Sequence, residues 1–196
     1  GELPAAARVG TSSPRRTAQI LALRPDLNLV PIRGNVGTRV EKARSDQYDA
    51  VVLAAAGLLR LGMGGEITEF LAPDVCTPEV GQGTLAIEAR LGDEEVLDLL
   101  ATVDHRLTST SLRTERAFLA TLGGGCKVPV TAFARIEDER LHIETMAAEP
   151  DGSRIFRASL VADSQDPEAA GRDVADRLLT TGAREMVGQP SDTNTQ

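Results

Sequence analysis

The chain has 196 residues, of which 41% are hydrophobic and 26% charged, and its formal net charge is −8. This composition is typical of a globular protein with a sizeable core, and the sequence has no apolar run of 18 residues that would predict a membrane span. The acidic balance disfavours nucleic acid as the main partner, and two cysteines and two histidines without clustered spacing disfavour a metal site.

The low cysteine content favours a reducing cytoplasm. The chain begins with Gly1, and residues 1–7 are a short lead-in to a domain, so we expect a fragment or a processed chain.

The first half of the chain alternates strand and helix patterns. We predict strands ending at residue 10, over 27–32, over 48–57 and over 84–90, because each is an apolar stretch bounded by turn residues. Ser13 followed by Pro14 predicts an N-cap and a helix to about residue 23. Further helices are predicted over 36–45 and 58–61. This alternation indicates a parallel sheet of βαβ units.

The second half has a different pattern. Residues 93–122 are predicted to form two helical segments that meet near His105. Residues 130–162 predict three strands, with turns at 137–139 and 150–152, and residues 166–182 a last amphipathic helix. The polar tail over 188–196 is predicted to be disordered. An α/β domain is therefore followed by a small α+β domain with a three-stranded antiparallel sheet.

Basic charge is concentrated near the start of the chain. Between residues 8 and 44, seven Arg and one Lys face two acidic residues, a local net charge of +6 that leaves −14 for the remainder. The scarcity of Lys can reflect genome composition, but composition does not explain where the charges lie.

Two stretches, "GTSSPRR" (10–16) and "IRGNVGTR" (32–39), place arginines where a strand ends and a helix begins. Helix N-termini at the carboxyl edge of a parallel sheet favour anions, and the planar guanidinium binds carboxylates and phosphates through two parallel hydrogen bonds. The sequence therefore predicts an anion site in this crevice; the alternative is a solvated basic face. Neither stretch has the glycine spacing of a P-loop or a dinucleotide-binding loop.

Cys126 lies in "LGGGCKVPV" (122–130), after three glycines and before Lys127, which favours the nucleophilic thiolate. The alternative is a small buried apolar residue. Cys76 has no such setting, and we interpret it as structural.

Five motifs, in order, resemble the porphobilinogen deaminase (hydroxymethylbilane synthase) family: "VGTSSPRR", "IRGNVGTR", "YDAVVLAAAGLLRLG", "VGQGTLAIEAR" and "GGGCKVPV". The resemblance implies a transferase of tetrapyrrole (porphyrin, heme, chlorophyll or corrinoid) biosynthesis. The family joins four porphobilinogen molecules head to tail, with loss of ammonia, on a covalently bound dipyrromethane cofactor. The resemblance also implies that the α/β domain of this chain is of the periplasmic-binding-protein type.

The resemblance implies roles for individual residues. Cys126 would carry the cofactor through a thioether. The remaining cofactor-binding residues would be Thr11, Ser12, Ser13, Arg15, Arg16, Arg33, Arg39, Ala54 and Gly57. The substrate-binding residues would be Arg16, Arg39, Arg60 and Gln82. No metal is implied.

The family also has an N-terminal domain that supplies a catalytic aspartate after a lysine, and neither Lys42 nor Lys127 is followed by Asp. We therefore expect no catalytic residue in this chain, little activity from it alone, and a missing domain supplied in cis or in trans. Residues 1–83 would form the cofactor- and substrate-binding domain, 84–101 a segment crossing back to the missing domain, and 102–187 the C-terminal domain.

We expect a cytoplasmic protein, monomeric at full length, with porphobilinogen as its small-molecule partner and neither nucleic acid nor membrane as a partner. Two alternatives remain. One is a non-catalytic module that binds polycarboxylates, and the other is half of a complementing two-chain enzyme.

Overall fold

The computed structural model of the protein describes residues 3–123 and 128–187. The described residues form an α/β structure with one parallel and one antiparallel three-stranded sheet, which confirms the predicted class at that level. Within the described ranges, no helix has the length and apolar character needed to cross a membrane.

The first part of the chain contains the parallel sheet. Its elements are β1 (Arg8–Gly10), α1 (Pro14–Leu23), β2 (Asn28–Val30), α2 (Val36–Ala43), β3 (Ala50–Val51), α3 (Ala55–Arg60) and a 3₁₀ turn (Gly64–Glu66). The strand order is β2-β1-β3, so Val9 pairs with both Leu29 and Ala50. Ser13 caps α1 as predicted, because its side chain accepts a hydrogen bond from the Arg16 backbone N–H.

Two predicted strands differ from the structure. The strand predicted over 84–90 is wrong: these residues form no strand, and Leu85 and Ile87 are exposed. A strand requires a neighbour that accepts its backbone hydrogen bonds, and the described residues place none beside this segment. The run over 48–57 contributes only the two residues of β3, because the alanines from Ala54 onward favour the start of α3.

The second part contains the antiparallel sheet. Its elements are α4 (Glu94–Ala101), α5 (Arg106–Thr121), β4 (Val130–Glu137), β5 (Arg140–Ala148), β6 (Ile155–Asp163), α6 (Pro167–Leu178), a kinked turn (Leu179–Ala183) and α7 (Arg184–Val187). The three predicted strands are confirmed, and so are the two helical segments that meet near His105, which is the N-cap of α5. Asp138 and Glu139 both adopt positive φ, 48° and 62°, which is the mirror-image turn that suits a two-residue hairpin.

The main core lies between this sheet and helices α5 and α6, around Phe118, Leu141, Ile143 and Val174. The opposite face of the sheet packs against α1 of the first part. Ala18 lies there with Met146, Ala148 and Ile155. Helix α1 therefore contacts the antiparallel sheet directly.

Gly152, in the turn between β5 and β6, permits this close approach. Its φ is +73°, and an added Cβ would lie 2.4 Å from the Ala18 carbonyl oxygen. The helix that carries the predicted anion-binding arginines is thus packed tightly on the C-terminal sheet.

Candidate anion-binding site

The three parallel strands end at the same edge of their sheet, so the segments that follow them lie side by side. They are residues 11–13, 31–35 and 52–54. The Ser12 hydroxyl joins the first two of these loops. It donates to the Ile32 carbonyl oxygen at 2.7 Å and accepts from the Ile32 N–H at 3.0 Å. This pair of bonds holds the two arginine-bearing loops next to each other.

The other two predicted hydroxyls shape the first loop. Thr11 is buried, and its hydroxyl oxygen accepts from the Ser13 N–H at 3.3 Å. Ser13 caps α1. All three hydroxyls therefore have bonds that order the turn in which a ligand would sit.

Arg15 is 5% exposed and has a protein partner at each guanidinium nitrogen. Its Nε donates to Glu79 Oε2 at 3.0 Å, its Nη1 to the Thr77 carbonyl oxygen, and its Nη2 lies 3.5 Å from Gln82 Oε1. Burial of a guanidinium is tolerated only with such partners, because an unpaired buried charge is very costly.

Arg16 is half-buried and reaches the end of the third strand. Its Nη1 donates to the Val52 carbonyl oxygen at 2.9 Å, and its Nη2 lies 3.5 Å from Gln82 Oε1. Burial lowers the pKa of the Arg16 guanidinium, and the neighbouring positive charges of Arg15 and Arg39 lower this pKa further. The positive charges of Arg15, Arg16 and Arg39 therefore repel one another, and a bound anion would reduce this repulsion.

Arg33 and Arg39 belong to the second loop and are less engaged. In the part of the chain that the structure describes, the Arg33 guanidinium is exposed and has no hydrogen-bond or ion-pair partner. Arg39 Nε donates to the Gly34 carbonyl oxygen at 2.8 Å. The loop itself is ordered by Asn35, which caps α2, and by Lys42 Nζ, which donates to the Arg33 carbonyl oxygen at 3.0 Å. Arg33 is thus an accessible donor on an ordered loop.

The remaining predicted residues lie around the same edge. Arg60 Nη2 donates to the Gly83 carbonyl oxygen at 3.1 Å, which places Arg60 beside the loop that carries Gln82. Ala54 is the N-cap of α3. Gly57 lies against α2, because an added Cβ would be 3.3 Å from Val36 Cγ2. The edge therefore brings together Arg15, Arg16 and Gln82 directly, and Arg60 through Gly83.

Cys126 lies outside the described residues, as does Lys127 beside it. Cys76 is a partly buried free cysteine, with its sulfur 3.8 Å from Gln19 Nε2 and 4.0 Å from Arg15 Nη1. Among the described residues, no group of three or more His, Cys, Asp and Glu side chains is placed to hold a metal ion.

Sequence reasoning missed several residues that fix the position of the Gln82 loop. Buried Gln19 accepts from the Thr77 N–H at 2.8 Å, and Arg157 of β6 donates to the Thr77 hydroxyl at 2.9 Å. The Thr131 hydroxyl of β4 donates to the Pro78 carbonyl oxygen. The segment over 77–82 is therefore held between α1 and the C-terminal sheet, a long-range contact that no local pattern indicates.

Glu115 of α5 is a further missed residue. Its buried carboxylate accepts from the Gly81 N–H at 2.7 Å and from the Ala134 N–H at 2.9 Å. Burial raises the pKa of Glu115, and the two backbone hydrogen bonds oppose that rise. One sequence signal was available: Glu115 precedes the core residues Phe118 and Leu122 at helical spacing, so a charge lies on the apolar face of its helix.

The described residues define an α/β protein in which arginine-bearing loops follow the strands of a parallel sheet at its carboxyl edge. Comparison with known proteins then places it. Residues 1–98 match the family described as "Porphobilinogen deaminase, dipyromethane cofactor binding domain", and residues 110–180 match "Porphobilinogen deaminase, C-terminal domain". The chain belongs to the porphobilinogen deaminase family, which confirms the resemblance drawn from its motifs.

Individual relatives agree with this placement. Porphobilinogen deaminase of Roseiflexus sp. (strain RS-1) is 52% identical over 185 residues, which cover 94% of this chain and 61% of the relative. Porphobilinogen deaminase of Desulforudis audaxviator (strain MP104C) is 48% identical over 188 residues, which cover 96% of this chain and 61% of the relative. The chain therefore spans about three fifths of the length of these curated relatives.

Proposed function

We propose that this chain is the cofactor- and pyrrole-binding part of a hydroxymethylbilane synthase, a transferase of tetrapyrrole biosynthesis. The observation that carries the proposal is the pair of arginine loops at the edge of the parallel sheet, in a region that matches a dipyrromethane cofactor-binding family. Porphobilinogen carries an acetate and a propionate, so a chain of such rings is a polycarboxylate.

In the proposed reaction, the aminomethyl carbon of one porphobilinogen bonds to the free α-carbon of the preceding pyrrole ring. That α-carbon loses its proton, and the amine departs as ammonia. The dipyrromethane, when bound through Cys126, supplies the first free α-carbon. The residues of this chain hold the carboxylates and set the position of each ring.

The described residues fit such a polycarboxylate. Arg33 is exposed without a partner among them, and Arg39 uses only its Nε. Each charge-assisted hydrogen bond from an arginine contributes about 1.5–3 kcal/mol. We propose cofactor contacts for Thr11, Ser12, Ser13, Arg15, Arg16, Arg33, Arg39, Ala54 and Gly57, and substrate contacts for Arg16, Arg39, Arg60 and Gln82.

The domain organisation is part of the same proposal. Residues 1–83 form a binding domain of the periplasmic-binding-protein type, and 102–187 form the domain that presents Cys126. Residues 84–101 cross to a further domain, which supplies the catalytic aspartate in cis or in trans. Exposed apolar side chains in this segment support the proposal, namely Leu85, Ile87, Leu91 and Leu99.

On this proposal the 196 residues alone have little or no activity. Cytoplasmic location, a monomeric full-length state and the absence of nucleic-acid and membrane partners stay predictions. A non-catalytic polycarboxylate-binding module would use the same arginines without thiol chemistry, so the thiol is the feature to test.

The test is the intact mass of the purified chain, followed by peptide mapping. We expect an added mass of two pyrrole rings on Cys126, lost in Cys126→Ser and kept in the matched control Cys76→Ser. Covalent pyrrole that persists in Cys126→Ser would contradict the assignment. A bare wild-type chain that still binds porphobilinogen reversibly would favour the non-catalytic module.

A further inference from the structure

Glu79 lies at the arginine site and is negatively charged, as a bound carboxylate ligand would be. Its Oε2 lies 3.0 Å from Arg15 Nε, which is the geometry expected for a bound carboxylate. The motif-based prediction of the site included the arginines and Gln82 but not this residue. Its presence means that the most buried arginine already has an acidic partner.

The two sides of this ion pair differ in exposure. The Arg15 side chain is 5% exposed, whereas the Glu79 side chain is 54% exposed. Of the other Arg15 partners, the Thr77 carbonyl oxygen is buried and Gln82 is exposed. A ligand that reaches Arg15 Nε from solvent must therefore take the place of the Glu79 carboxylate.

The backbone on both sides of Glu79 is anchored to the C-terminal domain. Thr131 binds the Pro78 carbonyl oxygen, and Glu115 binds the Gly81 N–H. Glu79 can therefore leave Arg15 by a rotation of its side chain, without movement of the loop. Gln82 Oε1 remains between Arg15 and Arg16 when this happens.

We infer that Glu79 is a resident carboxylate that occupies Arg15 and competes with a ligand carboxylate for its guanidinium. This inference rests on the proposed function, and it assigns to Glu79 the role of setting affinity at the site. Only a ligand with several carboxylates, held also by Arg16 and the second loop, displaces Glu79 efficiently. A single carboxylate gains little, because it exchanges one ion pair for another.

The test is calorimetric titration of the 196-residue chain with a free dipyrromethane that carries four carboxylates, in the wild-type sequence and in Glu79→Gln, each with Cys126→Ser so that no covalent pyrrole occupies the site. Gln retains an oxygen for Arg15 Nε, so the variant is expected to fold, and circular dichroism checks this. The matched control is Asp74→Asn, which removes one charge from the same segment; Asp74 bonds only to the neighbouring Val75 N–H among the described residues. We expect Glu79→Gln to bind about two- to fivefold tighter than wild type and Asp74→Asn to bind like wild type.

A second readout follows the Arg15 Nε–H signal by NMR during the titration. Displacement of Glu79 predicts a shift of this signal, with Glu79 in place, as the free dipyrromethane binds. Equal affinities of wild type and Glu79→Gln, or an equal gain in Asp74→Asn, would overturn the role of Glu79 and leave the anion site standing. Absence of binding in all three proteins would overturn the anion site itself, and this inference with it.

Discussion

The two sheets of this protein each have three strands, yet they differ in what stabilises them. The strands of the parallel sheet have three, three and two residues, and the core cluster beside them contains three buried side chains, Ala7, Val9 and Leu27. The strands of the antiparallel sheet have eight or nine residues, and thirteen buried residues form its core with α5 and α6. The antiparallel part therefore holds most of the buried apolar surface of the described chain.

This difference separates stability from binding. The strands of the parallel sheet are short, and polar side chains such as Ser12 and Arg16 lie in the segments that follow the strands. Its helix α1 gains packing from the antiparallel sheet through Ala18 and Met146. A region with a small core can present many charged side chains at its edge because a neighbouring domain supports it. Three experiments test this difference between the two parts.

The largest expected effect is in the antiparallel part. Phe118 is fully buried, so Phe118→Ala should lower the free energy of unfolding by about 3–5 kcal/mol. Leu27→Ala, in the smaller cluster, should cost about 2 kcal/mol, at the low end for such a change because the site can collapse. The exposed Leu85→Ala is the control and should change it by less than about 0.5 kcal/mol. Urea unfolding measures all three, and a cost for Leu27→Ala equal to that for Phe118→Ala would contradict the comparison.

The second effect lies at the junction of the two parts. Glu115→Gln replaces one carboxylate oxygen with an N–H₂ group, so either the Gly81 or the Ala134 N–H loses its acceptor. We expect a loss of about 1–3 kcal/mol in unfolding free energy. Because burial raises the pKa of Glu115, its contribution is fully present below the ordinary Glu pKa and is lost as pH rises through the raised value.

The stability difference between wild type and Glu115→Gln should therefore shrink as the pH rises above about 4.3, the ordinary Glu pKa. Urea unfolding across this range measures it. Glu168→Gln is the matched control, and its stability difference should have the opposite pH dependence. Hydrogen bonds from Arg113 lower the pKa of the exposed Glu168. The contribution of Glu168 is present above its ordinary pKa and is lost as pH falls. A stability difference between wild type and Glu115→Gln that grew with pH would contradict a Glu115 pKa raised by burial.

The smallest effect on stability should accompany the clearest effect on binding. Arg33→Ala removes an exposed guanidinium without a described partner, so the free energy of unfolding should change by less than about 0.5 kcal/mol. Binding of a free dipyrromethane that carries four carboxylates, measured by calorimetry in a Cys126→Ser background, should weaken about tenfold or more. Arg177→Ala, an exposed arginine of α6, is the matched control and should bind like wild type. Unchanged binding in Arg33→Ala would remove the second loop from the proposed site.

Much of the local structure could be predicted from particular residues. Ser13 and Pro14 located the start of α1, and the hairpin at Asp138 and Glu139 followed from its turn residues. The two arginine loops were recognisable because each follows an apolar strand and begins a helix. The strand predicted over 84–90 is wrong because an apolar pattern alone does not make a strand, and the described residues place no neighbouring strand beside this segment.

The fold class, the family and the residue types of the proposed anion site could be predicted from the sequence, because they depend on short-range patterns and on motifs that run along the chain. The contacts that those residues make depend on long-range packing. In the folded chain, Arg15 is buried against Glu79, whereas Arg33 is exposed. The Gln82 loop is held between Glu115 and α1. These contacts join residues separated by 34 to 67 positions, and their formation depends on how distant parts of the chain pack together, which no local propensity encodes.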